Sequence, residues 1–318
     1  MPTRQSWFPL RRWTELRLQD IAKGGGDEGS RLTVLSEEEL KELHAVLLEI
    51  LDDIHSICTA NGLRYVLIGG SAIGALRSGG IIPWDDDIDI AMPRADFEKF
   101  TSLVRQQWNE KYSMLHPQDP DNFGRVIPKI RLRGTEYRTI LEQDLTDCGV
   151  FIDIYTIENV PNNAIARVFQ GIMAMGMGFA LSCRRLYRGR KWFRQFGGGL
   201  SFKVKCAIGF CLSFASYERW ARWTDYWHSC CKDETSKLVS IPADVRHYFG
   251  ELNPRQMLCR PVAVPFEGRT SFVPSEADSY LRAIYGDYMQ IPPVEKQERN
   301  CYLKFDLGNR RRKGEDQQ

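Results

Sequence analysis

The sequence lacks most of the signatures by which an enzyme class is assigned. It has no GxxxxGK[ST] loop and no GxGxxG fingerprint, which excludes the P-loop and Rossmann sites whose grip on phosphate depends on those glycine spacings. Five His are scattered over 318 residues without a Ser-His-Asp arrangement, so triad hydrolysis is not expected. Nine Cys are present, an odd number without CxxC spacing. They read as free thiols of a reducing compartment and not as a disulfide framework. His228, Cys230 and Cys231 lie close together but match no common zinc spacing, and read as ordinary packed or surface residues. No run of about twenty uninterrupted apolar residues occurs, so no transmembrane helix is expected. The opening MPTRQSWFPLRRW has no continuous apolar core of the signal-peptide kind. A formal net charge of +2 is too small for a protein that coats nucleic acid, and no nucleic-acid partner is expected.

What the sequence does contain is concentrated in YVLIGGSAIGALRSGGIIPWDDDIDIAM, Tyr65 to Met92. The apolar run Tyr65–Ile68 reads as a buried strand, broken by Gly69-Gly70-Ser71 and followed by a short helix over Ala72–Arg77 and a turn at Gly79-Gly80. Four carboxylates then fall within five residues: Asp85, Asp86, Asp87 and Asp89. Carboxylates this close repel unless positive charge sits among them. If Asp85–Met92 is extended, Asp85, Asp87 and Asp89 share one face, while Asp86, Ile88, Ile90 and Met92 share the other. An apolar face anchors such a strand in a core and turns paired carboxylates outward, where hard oxygen ligands suit Mg2+ or Mn2+. In Val150–Tyr155, a second strand, Asp153 stands between Ile152 and Ile154 and is the natural third ligand. The glycines at 69 and 70 would let backbone amides approach a phosphate at a helix N-terminus.

Elsewhere, residues 1–23 form a basic, aromatic tail that fits either a surface amphipathic helix or a loose end, and Gly24–Ser30 reads as a linker. Ser36-Glu37-Glu38-Glu39 is a capping box opening a helix to about Ala60, stopped by Asn61-Gly62. A helix follows Pro93, and Val126–Leu132 reads as a strand with Lys129 and Arg131 opposite Ile130 and Leu132. Residues 164–216 run apolar, basic, apolar, as in a helical hairpin dipping into an anionic membrane interface or, alternatively, two core helices joined by a solvated loop. Expected boundaries are a tail and linker over 1–30, a catalytic core over 31–160, a helical insertion over 161–255, the C-terminal part of the catalytic domain over 256–300 and a charged, frayed tail over 301–318. Strands alternating with helices point to a mixed α/β (α+β) domain.

Strand, GGS, helix, DxD, strand, Asp together resemble the nucleotidyltransferase superfamily of polymerase-β-like enzymes. IGGSAIGALRSGGIIPWDDDIDIAMPRADFEKF is similar to the signature block of the LicD family, which includes the fukutin-type proteins. VFIDIYTIENVP and VPFEGRTSFVPSEADSYLRAIYGDYMQIPP resemble its later blocks, with Thr156 where the family has Pro. The resemblance implies a nucleotidyltransferase core sheet and a phosphotransferase that takes phosphocholine, or a polyol phosphate, from a CDP-activated donor to a glycan acceptor, lipid-linked in some cases. It implies Asp87, Asp89 and Asp153 as catalytic metal-binding acids with Asp85 as an additional ligand, and Gly69, Gly70 and Ser71 bordering the diphosphate. Arg77, Lys129 and Arg131 are candidates for contact with the phosphates, and Trp84, Tyr137 and Tyr155 for a choline cage. A cytoplasmic protein at the inner face of the cell membrane is expected. Two alternatives stay open on the motif alone: a true nucleotidyltransferase releasing pyrophosphate, and a nucleotide-binding member without turnover.

Overall fold

A computed structural model describes residues 33–119, 126–139, 146–190, 199–294, 297 and 302–310. The tail and linker expected over 1–30 lie outside the described residues. The first helix, α1 (Glu37–Asn61), begins as its capping box dictates, with Ser36 and Glu39 each bonded to the other's backbone N–H. It ends at Gly62, whose φ of 62° is the left-handed conformation that favours glycine. Its apolar face, Leu40 through Ile57, is buried against the sheet.

The sheet is built from β1 (Val66–Leu67), β2 (Asp89–Pro93), β3 (Tyr112–Leu115), β4 (Lys129–Leu132) and β6 (Phe151–Asn159), in the order β1-β2-β6-β4-β3. Between β1 and β2 lies α2 (Gly69–Ser78), and after β2 comes α3 (Arg94–Gln107). The β2–β6 pair is parallel, whereas β1–β2, β4–β6 and β3–β4 are antiparallel, so the domain is mixed α/β. The segment Val126–Leu132 is shorter as a strand than its composition predicts, because pairing with β6 begins only at Lys129.

After β6 the chain forms α4 (Ala164–Arg188), α5 (Leu200–Cys211) and α6 (Tyr217–Ser229). The basic stretch around Arg184–Arg188 belongs to α4 and does not interrupt it. By length and composition α4 could cross a membrane, since three Arg in its last turns leave the preceding apolar window intact; the stretch still holds no run of about twenty uninterrupted apolar residues. The insertion then returns to the sheet. β7 (Leu238–Ser240) pairs with the end of β6, and after α7 (His247–Gly250), β8 (Asn253–Pro254) pairs with β7. Next come α8 (Arg255–Cys259), the hairpin β9 (Pro261–Phe266) and β10 (Arg269–Pro274), and α9 (Ala277–Tyr285).

The tail expected to fray over 301–318 does not do so throughout. β11 (Tyr302–Asp306) pairs antiparallel with β5 (Glu136–Thr139), and Tyr302 bridges to Thr33. The physical reason is aromatic burial: Tyr302 and Phe305 pack around the ring of Tyr137. All eight described cysteines are free thiols.

The short helix α2 sets the position of the loop that carries the acids. A Cβ at Gly74 would collide with the carbonyl oxygen of Gly80 and lie 3.2 Å from the Ile82 amide. Both obstacles are backbone, so neither can swing away. Gly74→Ala is expected to destabilise the protein by about 2–3 kcal/mol, as overpacking does, read as a fall in the urea midpoint. Gly79→Ala, where nothing lies within 4 Å but φ is +71°, carries only the smaller cost of a left-handed backbone.

Candidate active site

The acids come together because three strands hold them in register. Asp89, the first residue of β2, lies beside Asp153 of β6, and Asp153 lies beside Lys129 of β4. Neighbours across a sheet project from the same face, so the row Asp89, Asp153, Lys129 is a direct consequence of strand order. Lys129 Nζ forms an ion pair with Asp153 Oδ1 at 2.5 Å and lies 3.5 Å from the centre of the Phe151 ring. Ile88, Ile90, Ile152 and Ile154 are fully buried on the other side, as the alternation predicts.

Asp85 to Ile88 are not in strand conformation; the ladder starts at Asp89. The expected alternation survives all the same, with Asp86 and Ile88 buried and Asp85, Asp87 and Asp89 partly exposed. Local bonds hold the loop. The Asp85 amide donates to the Ile82 carbonyl (2.9 Å), His44 Nε2 donates to the Asp85 carbonyl (2.7 Å), and Tyr137 donates its hydroxyl to Asp86. The turn of the β9–β10 hairpin braces the loop from outside: Glu267 accepts from the Ile81 amide (2.9 Å), and its own amide donates to the Gly79 carbonyl (2.8 Å). A side chain at Gly80 would strike the Glu267 carboxylate. Glu267 is a bracing residue that the sequence pattern does not reveal.

The glycine turn faces the same acids. Gly69 opens α2 with φ +55°, and a Cβ there would sit 3.3 Å from Asp89 Oδ2 and 3.7 Å from the Tyr285 hydroxyl. At Gly70 it would sit 2.5 Å from Asp85 Oδ2. Ser71 is buried, and its hydroxyl accepts from the Asp89 amide (2.9 Å), so its side chain fixes the first residue of β2. Burial, and next the charges of Asp85, Asp89, Asp86 and Asp153, push the Asp87 carboxyl well above the usual range. Asp89 is pushed the same way by burial, Asp153 and Asp85, against the opposing pull of Lys129.

This arrangement fits a divalent cation. Asp85, Asp86 and Asp87 each offer a carboxylate oxygen within 4.8 Å of the others, and the acids with raised pKa are those that an added positive charge would restore to their ionised form. Asp86 is the least suited of the set, being buried and bonded to Tyr137. Of the expected set only Asp85 and Asp87 fall in that cluster; Asp89 and Asp153 stand beside each other on β2 and β6, outside it. No group of three metal-binding side chains that includes His228, Cys230 or Cys231 occurs among the described residues.

Residues 62–164, about a third of the chain, match the family described as LicD/FKTN/FKRP, nucleotidyltransferase domain. The chain carries a LicD-family domain. Over 263 residues it is 27% identical to the lipopolysaccharide cholinephosphotransferase LicD of Haemophilus influenzae, covering 81% of this chain and 94% of that protein. A shorter stretch of 36 residues is 53% identical to the ribitol 5-phosphate transferase FKRP of Homo sapiens, covering 11% of this chain and 7% of that protein. Asp85, Asp86, Asp87, Asp89 and Asp153 all lie within the matched LicD domain.

Around this LicD domain the remaining candidates separate. Arg131 is only 2% exposed, donates to the Gly149 carbonyl (3.3 Å) and lies over Phe151, its neighbour across the β4–β6 pair. Arg77 donates to the Tyr288 carbonyl (3.3 Å) and stacks over Trp84. Tyr137 is buried beneath Asp86 and is withdrawn from any choline cage. Tyr155 stays at the site: burial, then Asp89 and Asp153, raise its phenol well above the ordinary value. Thr156, the departure from the family pattern, points away from the acids and joins the buried pair of Arg94 and Glu158. Two further groups reach the site from outside the matched domain. Tyr285 ends α9 beside Gly69, and Asp244, in the loop after β7, adds to the charge raising Asp89. Tyr285 sits in a block of recognisable character, whereas Asp244 stands alone in a loop and no spacing marks it.

Proposed function

We propose that this chain is a metal-dependent phosphotransferase that moves a phospho-alcohol from a CDP-activated donor to a sugar hydroxyl of a cell-surface glycan or its lipid-linked precursor. Phosphocholine from CDP-choline is the first choice. The observation that carries the reading is the register row Asp89, Asp153, Lys129, with Asp87 and the Gly69-Gly70 turn beside it. The names of the relatives, a cholinephosphotransferase and a ribitol 5-phosphate transferase, support the reaction class.

Asp87, Asp89 and Asp153, with Asp85, would hold Mg2+ or Mn2+, which supplies neutralisation of the donor diphosphate and of the departing CMP. The protein's own groups supply position and charge. The Gly69 and Gly70 backbone admits the diphosphate to the mouth of α2, and Lys129 adds positive charge beside Asp153. The acceptor oxygen attacks the phosphorus that bears the alcohol, the bond from that phosphorus to the CMP oxygen breaks, and the hydroxyl proton passes to a carboxylate of the set, with Asp153 the nearest to a cation. Tyr155 supports an onium-binding wall next to the acids.

The test is a donor screen with Mg2+ present, comparing CDP-choline, CDP-ribitol, CDP-glycerol and CDP-ethanolamine and following release of CMP. The expected result is CMP from one of these donors, dependent on an added glycan acceptor. Pyrophosphate from CTP with all four CDP donors inert would identify a nucleotidyltransferase instead.

A further inference from the structure

Among the described residues, exposed large apolar side chains concentrate on the helices of the insertion. On α4, Ile165, Val168, Phe169, Ile172 and Phe179 are 46–82% exposed. Their spacing of three, four and seven residues puts them on one stripe about 21 Å long at 1.5 Å per residue. On α5 and the turn after it, Leu200, Val204, Phe210 and Phe214 are also exposed, by 48–79%. A monomeric soluble protein rarely shows so much contiguous apolar area without a partner.

Charge identifies the partner. Residues 164–216 contain nine Lys and Arg and no Asp or Glu. Arg185, Arg190 and Lys203 are exposed around the join of the two helices, and Lys205 lies 5.8 Å from the centre of the Phe179 ring. Such a face would repel a second copy of itself, and it matches a layer that is negative at the surface and apolar beneath.

The opposite side of α4 decides how it meets that layer. Gly171 lies against Tyr248 and Phe249, where a Cβ would approach Tyr248 Cδ1 to 2.7 Å. Gln170 is buried and donates to the carbonyls of Trp227 (3.3 Å) and His228 (3.1 Å). A helix fastened on one side by buried polar bonds to α6 and by close packing on α7 cannot be surrounded by lipid. It can lie in the interface with its free stripe immersed and its Arg and Lys at headgroup depth.

We infer that the outer faces of α4 and α5 form a membrane-docking surface for anionic lipid, lying on the bilayer without spanning it. The inference stands apart from the proposed reaction. The two meet in one consequence: β6, which carries Asp153, leads directly into α4, so docking would tether the acid row to the bilayer on which a lipid-linked acceptor is displayed.

The experiment is co-sedimentation of the full chain with vesicles of phosphatidylcholine alone and of phosphatidylcholine mixed with phosphatidylglycerol. The expected result is binding to the mixed vesicles, reversed by salt, and weak binding to the neutral ones. Arg185→Ser, Arg190→Ser and Lys203→Ser combined should weaken it roughly a hundredfold, and Phe169→Ser with Ile172→Ser should weaken it independently. All five positions are exposed, so folding is retained, and transfer to a soluble acceptor should stay at the parental rate. Equal binding to both vesicle types, or none to either, would overturn the inference. So would a chain that is dimeric in solution and becomes monomeric in the Phe169→Ser, Ile172→Ser variant, since the face would then be a self-interface.

Discussion

Asp87→Asn and Asp89→Asn are each expected to lower phosphotransfer by roughly a thousandfold or more, the several kcal/mol that a bound divalent ion contributes to a phosphoryl transition state. The folded protein should be stabilised by the same changes when metal is withheld. Both carboxyls have folded-state pKa values well above 3.8, through burial and then through neighbouring acids. A carboxyl raised in this way favours the protonated form in the folded state, so stability falls as pH climbs from the unfolded pKa towards the folded one. Asn carries no charge and removes that loss. Melted in EDTA at neutral pH, each variant should therefore unfold at a higher temperature than the parent. Added Mg2+ should reverse the ranking, because it stabilises the parent by mass action and a variant lacking a ligand much less. Near-parental activity in either variant would remove that residue from the site, and parental melting with and without Mg2+ would remove the metal.

The second large effect is structural and lies at the junction between the acid-bearing sheet and the insertion. Arg94, at the start of α3, donates through Nε to both carboxylate oxygens of Glu158 (3.0 and 3.1 Å) and through Nη2 to Asp225 of α6 (2.8 Å). All three are buried, Glu158 to 1% and Asp225 to 4% exposure. Arg94→Met is expected to cost about 3–5 kcal/mol, because it strands two carboxylates out of water. Adding Glu158→Gln and Asp225→Asn should recover most of that loss, since the stranded charge and not the missing bond dominates. Urea unfolding of the single and triple variants measures both. A single variant within about 1 kcal/mol of the parent, the range of an exposed ion pair, would show that the junction is wet.

Much of this protein is written in local pattern. The capping box, the stop at Asn61-Gly62 and the alternating burial of the acids follow from side-chain chemistry within a few residues, and each is present; the helix expected over Ala72–Arg77 is there too, but it begins three residues earlier, at Gly69. The same locality explains the errors. Arg131 reads as a strand residue turned towards a ligand, but its guanidinium is covered over Phe151, a contact made across two strands. Tyr302–Asp306 reads as a charged tail, but its two aromatic rings find Tyr137, far away in the sequence. Arg94 carries no local sign of its role, since its partners lie 64 and 131 positions away.

The sequence by itself marked the acids as one cluster and anticipated their alternating burial, because Ile88 and Ile90 seek the core and turn their neighbours outward, even though the strand begins only at Asp89. Only the tertiary structure decided that Asp89, Asp153 and Lys129 form one row, that Glu267 braces the loop before the acids, and that Tyr285 and Asp244 approach them. Those facts depend on strand order and on where a distant hairpin and helix dock. Strand order and docking are set by burial summed over the whole core, a sum to which no short stretch of residues holds the answer.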